Sequence, residues 1–541
     1  MNAAPKSHPP LHRHGAGTAR AWTPKHNRWA VAMAVTIATF MEVLDTSVAN
    51  VALPHIAGGL AATQSESTWI LTSYLVSNAI ILPMSAWMAV RFGRKRFYMG
   101  CVGLFTLSSV LCGFAPSLAW LIFFRVLQGA GGGGLGPSEQ GILADTFIPS
   151  ERGIAFAIYG MAVILAPAVG PALGGFVTDR LDWRWIFFIN VPAGILSLFL
   201  TAHMIEDPPY LVKQQKRARR SGWNVDFGGL LLLGLCLGPL QVLLDRGQED
   251  NWFASHYIST LAVISLASLV GVIVWELTRR DPIVNLRLFR NRTYAVANLL
   301  MFVLGFVLYG SVVILPQFLQ VLMGYSATDA GMVLSPGGLA MVALMPIAGE
   351  GVSRFDARWL IAAGFAASAV ALYHMTTLDL QVSFNAVVML RIYQAGALAF
   401  LFVPINTLAY VDIPEGQNDD VSSMINLARN IGGSVGIAIV STIVTRRSQI
   451  HSHDLAMHLN PYDKGVRVLT ARMTQALSHA GFSTSEAAHK AVAGVYQGMQ
   501  LQAATLGYLD AYMAMALLCA AMVPLVFLMK RSDPSRGIVI G

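Results

Sequence analysis

Charge is what this chain has least of. Asp, Glu, Lys and Arg make up 12% of its 541 residues, about half the roughly 25% of soluble domains. With 55% hydrophobic residues, that shortage excludes a soluble enzyme on an anchor and implies a polytopic membrane protein. Cysteine is scarce as well. Cys101, Cys112, Cys236 and Cys519 lie in apolar stretches at spacings that fit no metal site, and they read as small buried hydrophobes. A nucleotide motif is missing: Gly129 to Gly136 is glycine-rich but lacks the Gly-Lys-Ser/Thr of a phosphate loop. Inside a span, such small residues permit close helix approach. Residues 1–28 are polar, rich in His and Pro, and lack the apolar core of a signal peptide. They are expected to form a disordered cytoplasmic tail in which His8, His12 and His14 are solvated.

What is abundant is apolar sequence in windows of about 20 residues, the length that crosses a bilayer as a helix. Fourteen such spans are expected, near 29–52, 68–90, 97–115, 118–140, 153–178, 185–204, 226–245, 256–277, 294–320, 329–351, 358–377, 383–410, 422–445 and 508–529. Alternate loops collect the basic residues. One set holds the N-terminal tail, Arg91, Arg94, Lys95, Arg96, Arg152, Lys213, Lys216, Arg217, Arg219 and Arg220. It continues with Arg279, Arg280, Arg287, Arg290, Arg292, Arg354, Arg358, Lys530, Arg531 and Arg536. The short loops opposite hold Arg180, Arg184 and Arg246. By the positive-inside rule both termini are expected in the cytoplasm. Most of the formal charge of +8 is then topological, and no nucleic-acid partner is implied.

The chain also repeats itself. Pro83 to Phe92 resembles Pro346 to Phe355, Arg125-Val-Leu-Gln128 resembles Arg391-Ile-Tyr-Gln394, Pro54 pairs with Pro316, and Ile148-Pro149 with Ile413-Pro414. The near-constant spacing implies a parallel duplication of six spans with spans 7 and 8 inserted, one of the standard transporter plans. The expected units are a tail (1–28), an N-terminal six-helix bundle (29–204) and a linker with two inserted helices (205–293). A C-terminal six-helix bundle (294–529) follows, with a long extracytoplasmic loop at 446–506, and a tail (530–541) ends the chain.

Two acids in the first span carry the chemistry. A charge at mid-membrane costs about 2.5–3.5 kcal/mol on insertion scales, so it is rarely without a role. Glu42 and Asp45 are three apart and share a helix face. Arg125, in the fourth span, is their natural partner. Facing Arg125, either acid stays ionised; separated from it by substrate or helix movement, it takes a proton. The alternative is a static ion pair joining spans 1 and 4. The second half offers Arg391 but no acid in span 9 to match Asp45.

Several stretches resemble the major facilitator superfamily, and within it the fourteen-helix drug:proton antiporters of the EmrB/QacA type. Leu44 to Pro54 resembles the first-span signature of that branch, and Arg91-Phe92-Gly93-Arg94-Lys95-Arg96 the superfamily's loop 2–3 motif, with Val90 where many members have Asp. Arg125-Val-Leu-Gln128-Gly129 resembles the fourth-span motif. Gly170-Pro171-Ala-Leu-Gly174-Gly175 resembles the fifth-span antiporter motif, with Ala166 in place of its leading Gly. Asp182 to Pro192 and Leu244-Asp245-Arg246-Gly247 resemble branch-specific stretches. EmrB-like members share the long loop before the last span.

The resemblance implies an all-α fold of two six-helix bundles plus two inserted helices, fourteen in all. It implies a non-enzymatic, proton-coupled exporter of small hydrophobic or amphipathic compounds in a bacterial inner membrane. The proton gradient would replace any cofactor, and lipid surrounds the protein. Exporting one native lipid, siderophore or fatty acid is the alternative; a non-transporting sensor or scaffold is disfavoured by intact Asp45, Arg125 and fifth-span glycines. Arg91, Gly93, Arg94, Asp145 and Arg152 are expected at a cytoplasmic gate. Pro167, Gly170, Pro171, Gly174 and Gly175 are expected to bend span 5 and pack it against the opposite half. Trp69, Tyr74, Asn78, Gln128, Tyr159, Asn298, Tyr309, Gln317 and Gln320 are candidates to line a substrate cavity. The 446–506 segment is expected to hold helices near 463–480 and after the capping pattern Ser483-Thr-Ser-Glu486. It is a candidate dock for a periplasmic adaptor leading to an outer-membrane channel, with His451, His453 and His458 on a solvated face.

Overall fold

A computed structural model describes residues 24–220, 226–279, 282–414, 416–457, 459–460 and 462–531. His8, His12, His14, Arg280, His458, Arg536 and most of both expected tails lie outside the described residues. Regular structure among those described is entirely helical. In chain order the α-helices are α1 (Arg28–Gly59), α2 (Gln64–Ser67), α3 (Trp69–Phe92), α4 (Arg94–Gly113), α5 (Leu118–Gly132), α6 (Leu135–Thr146), α7 (Arg152–Arg180), α8 (Trp185–Phe188), α9 (Asn190–Met204), α10 (Pro209–Arg220), α11 (Phe227–Arg246), α12 (His256–Thr278), α13 (Arg292–Gln317), α14 (Ala327–Arg354), α15 (Ala357–Met375), α16 (Phe384–Ala409), α17 (Asn418–Met457), α18 (Lys464–His479) and α19 (Thr484–Val526).

Thirteen helical stretches among the described residues are long and apolar enough to cross a membrane. The eleventh expected span forms α15, whose 19 residues include Arg358 and His374 near their ends. Those residues dilute its apolar content, yet it packs between α16 and α19. With α15, the helices match the fourteen expected spans one for one. Side-chain caps begin many of them: Asn27 accepts from the Trp29 N–H at α1, and Ser326 with Asp329 forms a capping box at α14.

In the first half α1 packs on α7 and α9, while α3 and α4 pack on α5. The second half echoes this, with α13 on α17, α14 on α16, and α15 on α16 and α19. The halves meet through α7 against α14 and α3 against α17. Glycine sets some of these approaches: a Cβ at Gly153 would lie 2.7 Å from the Gly349 carbonyl oxygen, so α7 and α14 touch backbone to backbone. The inserted α11 rests on α3 and α17, while α12 packs on α11 and leaves Val263, Leu266 and Val274 exposed, as a lipid-facing helix would.

Three expectations change. The fourth span breaks at Gly133 and Gly134 into α5 and α6. The segment 446–506 holds the two expected helices, α18 and the start of α19 after the Ser483 capping box, but it is not a separate loop: α17 runs on to Met457, and α19 continues unbroken into the last span. α18 packs on α19 there. Finally, Gly170 and Gly174 face Ser47 and Val48 of α1, in the same half. The close approach to the opposite half uses Gly153 and Gly160 instead.

Candidate functional site

The carboxylates of α1 point to two different places. Asp45, 2% exposed, accepts from Arg125 Nη1 at 2.5 Å through Oδ2. Its Oδ1 accepts from Gln128 Nε2 at 3.0 Å and from Asn190 Nδ2 at 2.6 Å. Arg125, fully buried, donates through Nε to the Ile70 carbonyl and through Nη1 to Gln128 Oε1. Its guanidinium carbon lies 4.4 Å from the Tyr74 ring centroid. Ser109 Oγ accepts from both Gln128 and Asn190. The arrangement follows from sequence: Arg125 and Gln128 are three apart and share a face of α5. Gly129 lets that face close on α3, since a Cβ there would sit 2.3 Å from the Tyr74 carbonyl oxygen. Coulomb attraction and a nearly complete hydrogen-bond set offset the desolvation of both charges.

Glu42 does not share this cluster. Its Oε1 accepts from Asn78 Nδ2 at 3.0 Å and from the Tyr74 hydroxyl at 3.4 Å. Tyr74 therefore lies between the acids, its ring on Arg125 and its hydroxyl on Glu42. The cation whose field reaches Glu42 is Arg429 of α17, from the other half. Around Arg429 sit Tyr159, Tyr309 and the Phe402 ring at 5.8 Å. Tyr159 donates to Asn426 Oδ1 at 3.4 Å, and Asn426 donates to Gln140 Oε1 at 2.8 Å, linking the halves. Nearby, fully buried Glu139 accepts from the Tyr98 hydroxyl at 3.0 Å.

Of the residues expected to line a cavity, Tyr74, Asn78, Tyr159 and Tyr309 gather around Glu42 and Arg429. Gln128 belongs to the Asp45 cluster instead. Trp69 lies under Arg246 at 5.3 Å, beside the inserted α11. Asn298 donates through Nδ2 to the Tyr294 carbonyl on its own helix. Gln317 and Gln320 are exposed at the far end of α13 and just beyond it.

At the end carrying most basic residues, Arg94 is buried and bridges the halves. Its Nη1 lies 2.7 Å from Asp145 Oδ2 and 3.2 Å from Asp419 Oδ1. Asn418 donates to Asp145 Oδ1 at 2.6 Å, and Tyr210 of α10 donates to the same carboxylate. Burial and the neighbouring Asp145 charge hold the Tyr210 phenol well above its ordinary range. The missing acid at Val90 is thus replaced by partners from α6 and α17. Gly93 adopts φ +92° between α3 and α4, a conformation glycine takes at no steric cost. Arg91 stays half-buried at the rim, and Arg152 donates to the Phe147 carbonyl and faces the Tyr410 ring. Pro167 and Pro171 lie within α7, and a Cβ at Gly175 would meet open space.

Sequence reasoning missed Asn190, Glu139, Asp419, Asn426 and Arg429. Asn190 was legible only as part of a branch-specific stretch, and Asp419 beside Asp420 reads as an ordinary acidic helix start.

The family model described as the Major Facilitator Superfamily matches residues 35–437. The chain belongs to the major facilitator superfamily. Among curated proteins, it is 37% identical over 442 residues to the multidrug export protein EmrB of Escherichia coli K12, covering 82% of this chain and 85% of that one. It is 34% identical over 531 residues to the fatty acid resistance protein FarB of Neisseria gonorrhoeae, covering 98% and 99%. Among solved structures, the proton:xylose symporter XylE bound to 6-bromo-6-deoxy-D-glucose superimposes with a TM-score of 0.61 over 94% of this chain and 97% of that one, at 14% identity. That likeness speaks for the fold. This superfamily member is a multi-pass membrane protein of transporter architecture.

Proposed function

We propose that this chain is a proton-driven exporter of hydrophobic or amphipathic compounds, working by alternating access between two six-helix halves. The observation that carries the proposal is the buried Asp45–Arg125 pair on the first half, beside a second acid, Glu42, that looks toward a cation of the other half. The relatives named for multidrug export support the substrate class. In this scheme Asp45 stays ionised while Arg125 holds it. When helix movement parts them, the acid is left buried and unpaired and takes a proton, which it releases when the pair re-forms. Moving one charge through the membrane potential supplies about 2.3 kcal/mol per 100 mV, so one or two protons drive at least tenfold gradients without a nucleotide.

The basic end is proposed to be cytoplasmic, with both termini there. On that reading Arg94, Asp145 and Asp419 form a gate that is shut here, with α10 across it. Tyr74, Asn78, Tyr159, Tyr309 and Arg429 would face substrate. The helical extensions of α17 and α19, with α18, are proposed to stand outside the membrane and meet a periplasmic adaptor. Between them, α18 and α19 frame an open groove of about 700 Å³ whose apolar lining (Val466, Val492, Val495 and Tyr496) is joined by Arg467, Thr470 and Gln475.

A second reading, export of fatty acids, is favoured by the near-complete match to a fatty acid resistance protein. A substrate panel in a deletion strain, with and without an uncoupler, tests both: resistance to diverse toxic compounds supports the first, resistance confined to fatty acids the second, and resistance that ignores the uncoupler contradicts proton drive.

A further inference from the structure

The duplication leaves one buried cation without its acid. Ser311, Arg391 and Gln394 each lie 266 residues after Asp45, Arg125 and Gln128. The structure repeats the geometry as well. Arg391 Nη1 donates to Ser311 Oγ at 3.2 Å and also to Gln394 Oε1, and Gln394 Nε2 donates to Ser311 Oγ at 3.1 Å. Where the first half puts a carboxylate, the second puts a hydroxyl.

The consequence is a charge imbalance. Arg391 is 5% exposed, and no carboxylate among the described residues lies within ion-pair distance of it. Among the described residues its Nε has no hydrogen-bond partner, and neither has the buried hydroxyl of Tyr512, which lies within electrostatic reach of the guanidinium. Ser311 cannot supply the missing charge: its hydroxyl donates to the Leu308 carbonyl while accepting from Arg391 and Gln394. An unpaired buried guanidinium is costly, and a full hydrogen-bond set around an anion offsets that cost.

We propose that Arg391, with Tyr512 and Ser311, forms a binding site for a small monovalent anionic group in the second half, standing where Asp45 stands in the first. The group is either a free halide such as chloride or the carboxylate head of an amphipathic molecule. Arg391 supplies the charge and its unused Nε–H, Tyr512 its unused O–H, and Ser311 and Gln394 hold the guanidinium in place. The site needs no transport step, so it stands or falls apart from the export reading.

The test uses the purified full chain in a neutral detergent. Thermal unfolding is followed in chloride against gluconate at equal ionic strength, and with a long-chain fatty carboxylate against its methyl ester. A ligand that binds only the folded state raises the melting temperature with concentration. The expected result is a rise of a few degrees with chloride, with the carboxylate, or with both, and none with the ester. A response to chloride alone identifies a free-anion site; a response to the carboxylate alone identifies a head-group site. Arg391→Gln should abolish the response by removing the charge. Ser311→Asp should abolish it differently, by installing an internal carboxylate and raising the melting temperature without added anion. Equal melting in all four conditions overturns the proposal, and so does an anion response that survives in both variants.

Discussion

The two halves hold the same arginine and glutamine in nearly the same setting, yet only one holds an acid. In the first half Asp45 receives donors from Arg125, Gln128 and Asn190. In the second, Ser311 receives them from Arg391 and Gln394. The backbone duplication fixed the positions of the polar groups, and one side chain decides whether the site can carry a proton. A hydroxyl cannot change charge in the working range, whereas a carboxylate can. On the proposed mechanism, the difference places proton coupling in the first half and leaves the second free for another role.

The largest expected effect breaks the comparison by removing each arginine. Arg125→Met strands Asp45 in a buried site and should cost about 3–5 kcal/mol, as for other buried pairs that lose one partner. Arg391→Met leaves no acid behind, so in gluconate buffer it should cost far less or stabilise the fold. Thermal and denaturant unfolding of both variants would check this; equal losses would mean that the two sites are energetically alike.

Next in size is the gate. Arg94 is shared by Asp145 of the first half and Asp419 of the second. Arg94→Ala leaves two carboxylates facing each other and should loosen the basic end. In a cysteine-free background, S422C should label slowly because Ser422 is buried, and adding Arg94→Ala should speed labelling severalfold. Unchanged labelling would remove Arg94 from the gate.

A smaller effect concerns Glu42. Glu42→Gln keeps its hydrogen bonds from Asn78 and Tyr74 but drops the charge that Arg429 senses. Transport of cationic substrates should fall more than transport of neutral ones, read as separate KM values. An equal fall in both would argue for a purely structural acid.

The smallest lies outside the membrane, at the start of α19. The Ser483 hydroxyl and backbone N–H hold the Glu486 carboxyl below the usual carboxylate range. A group depressed in the folded state stabilises above its unfolded value, and that contribution is lost as pH falls through the folded one. The protection of the first-turn amides of α19, read as the exchange rate relative to the intrinsic rate at each pH, should thus fall on acidification, and Ser483→Ala should leave that protection low and nearly independent of pH.

Much of the fold was legible because a bilayer imposes a length on every span, and the basic loops punctuate them. The repeat was legible because Arg125 and Arg391 stand at matching places with glutamine three residues on. The pairing of Asp45 with Arg125 followed from the scarcity of intramembrane charge. Asn190 was not legible, since an asparagine before Val-Pro reads as an ordinary helix start. Nor was the separation of Glu42 from Asp45: spacing puts them on one face, but about 60° of helix rotation and the Tyr74 ring between them send them to different partners. The helices near 463–480 and after Ser483 were legible, whereas the run-on of α17 to Met457 escaped because that stretch is too polar for a span.

The central claim is that Asp45 carries the proton. Its most direct test is substrate-driven proton release from proteoliposomes holding the wild-type chain or Asp45→Asn, with substrate binding measured alongside. Asparagine preserves the size and most hydrogen bonds of the site, so binding should persist. The account predicts that proton release disappears in this variant while binding stays; release that continues at the wild-type level would contradict it.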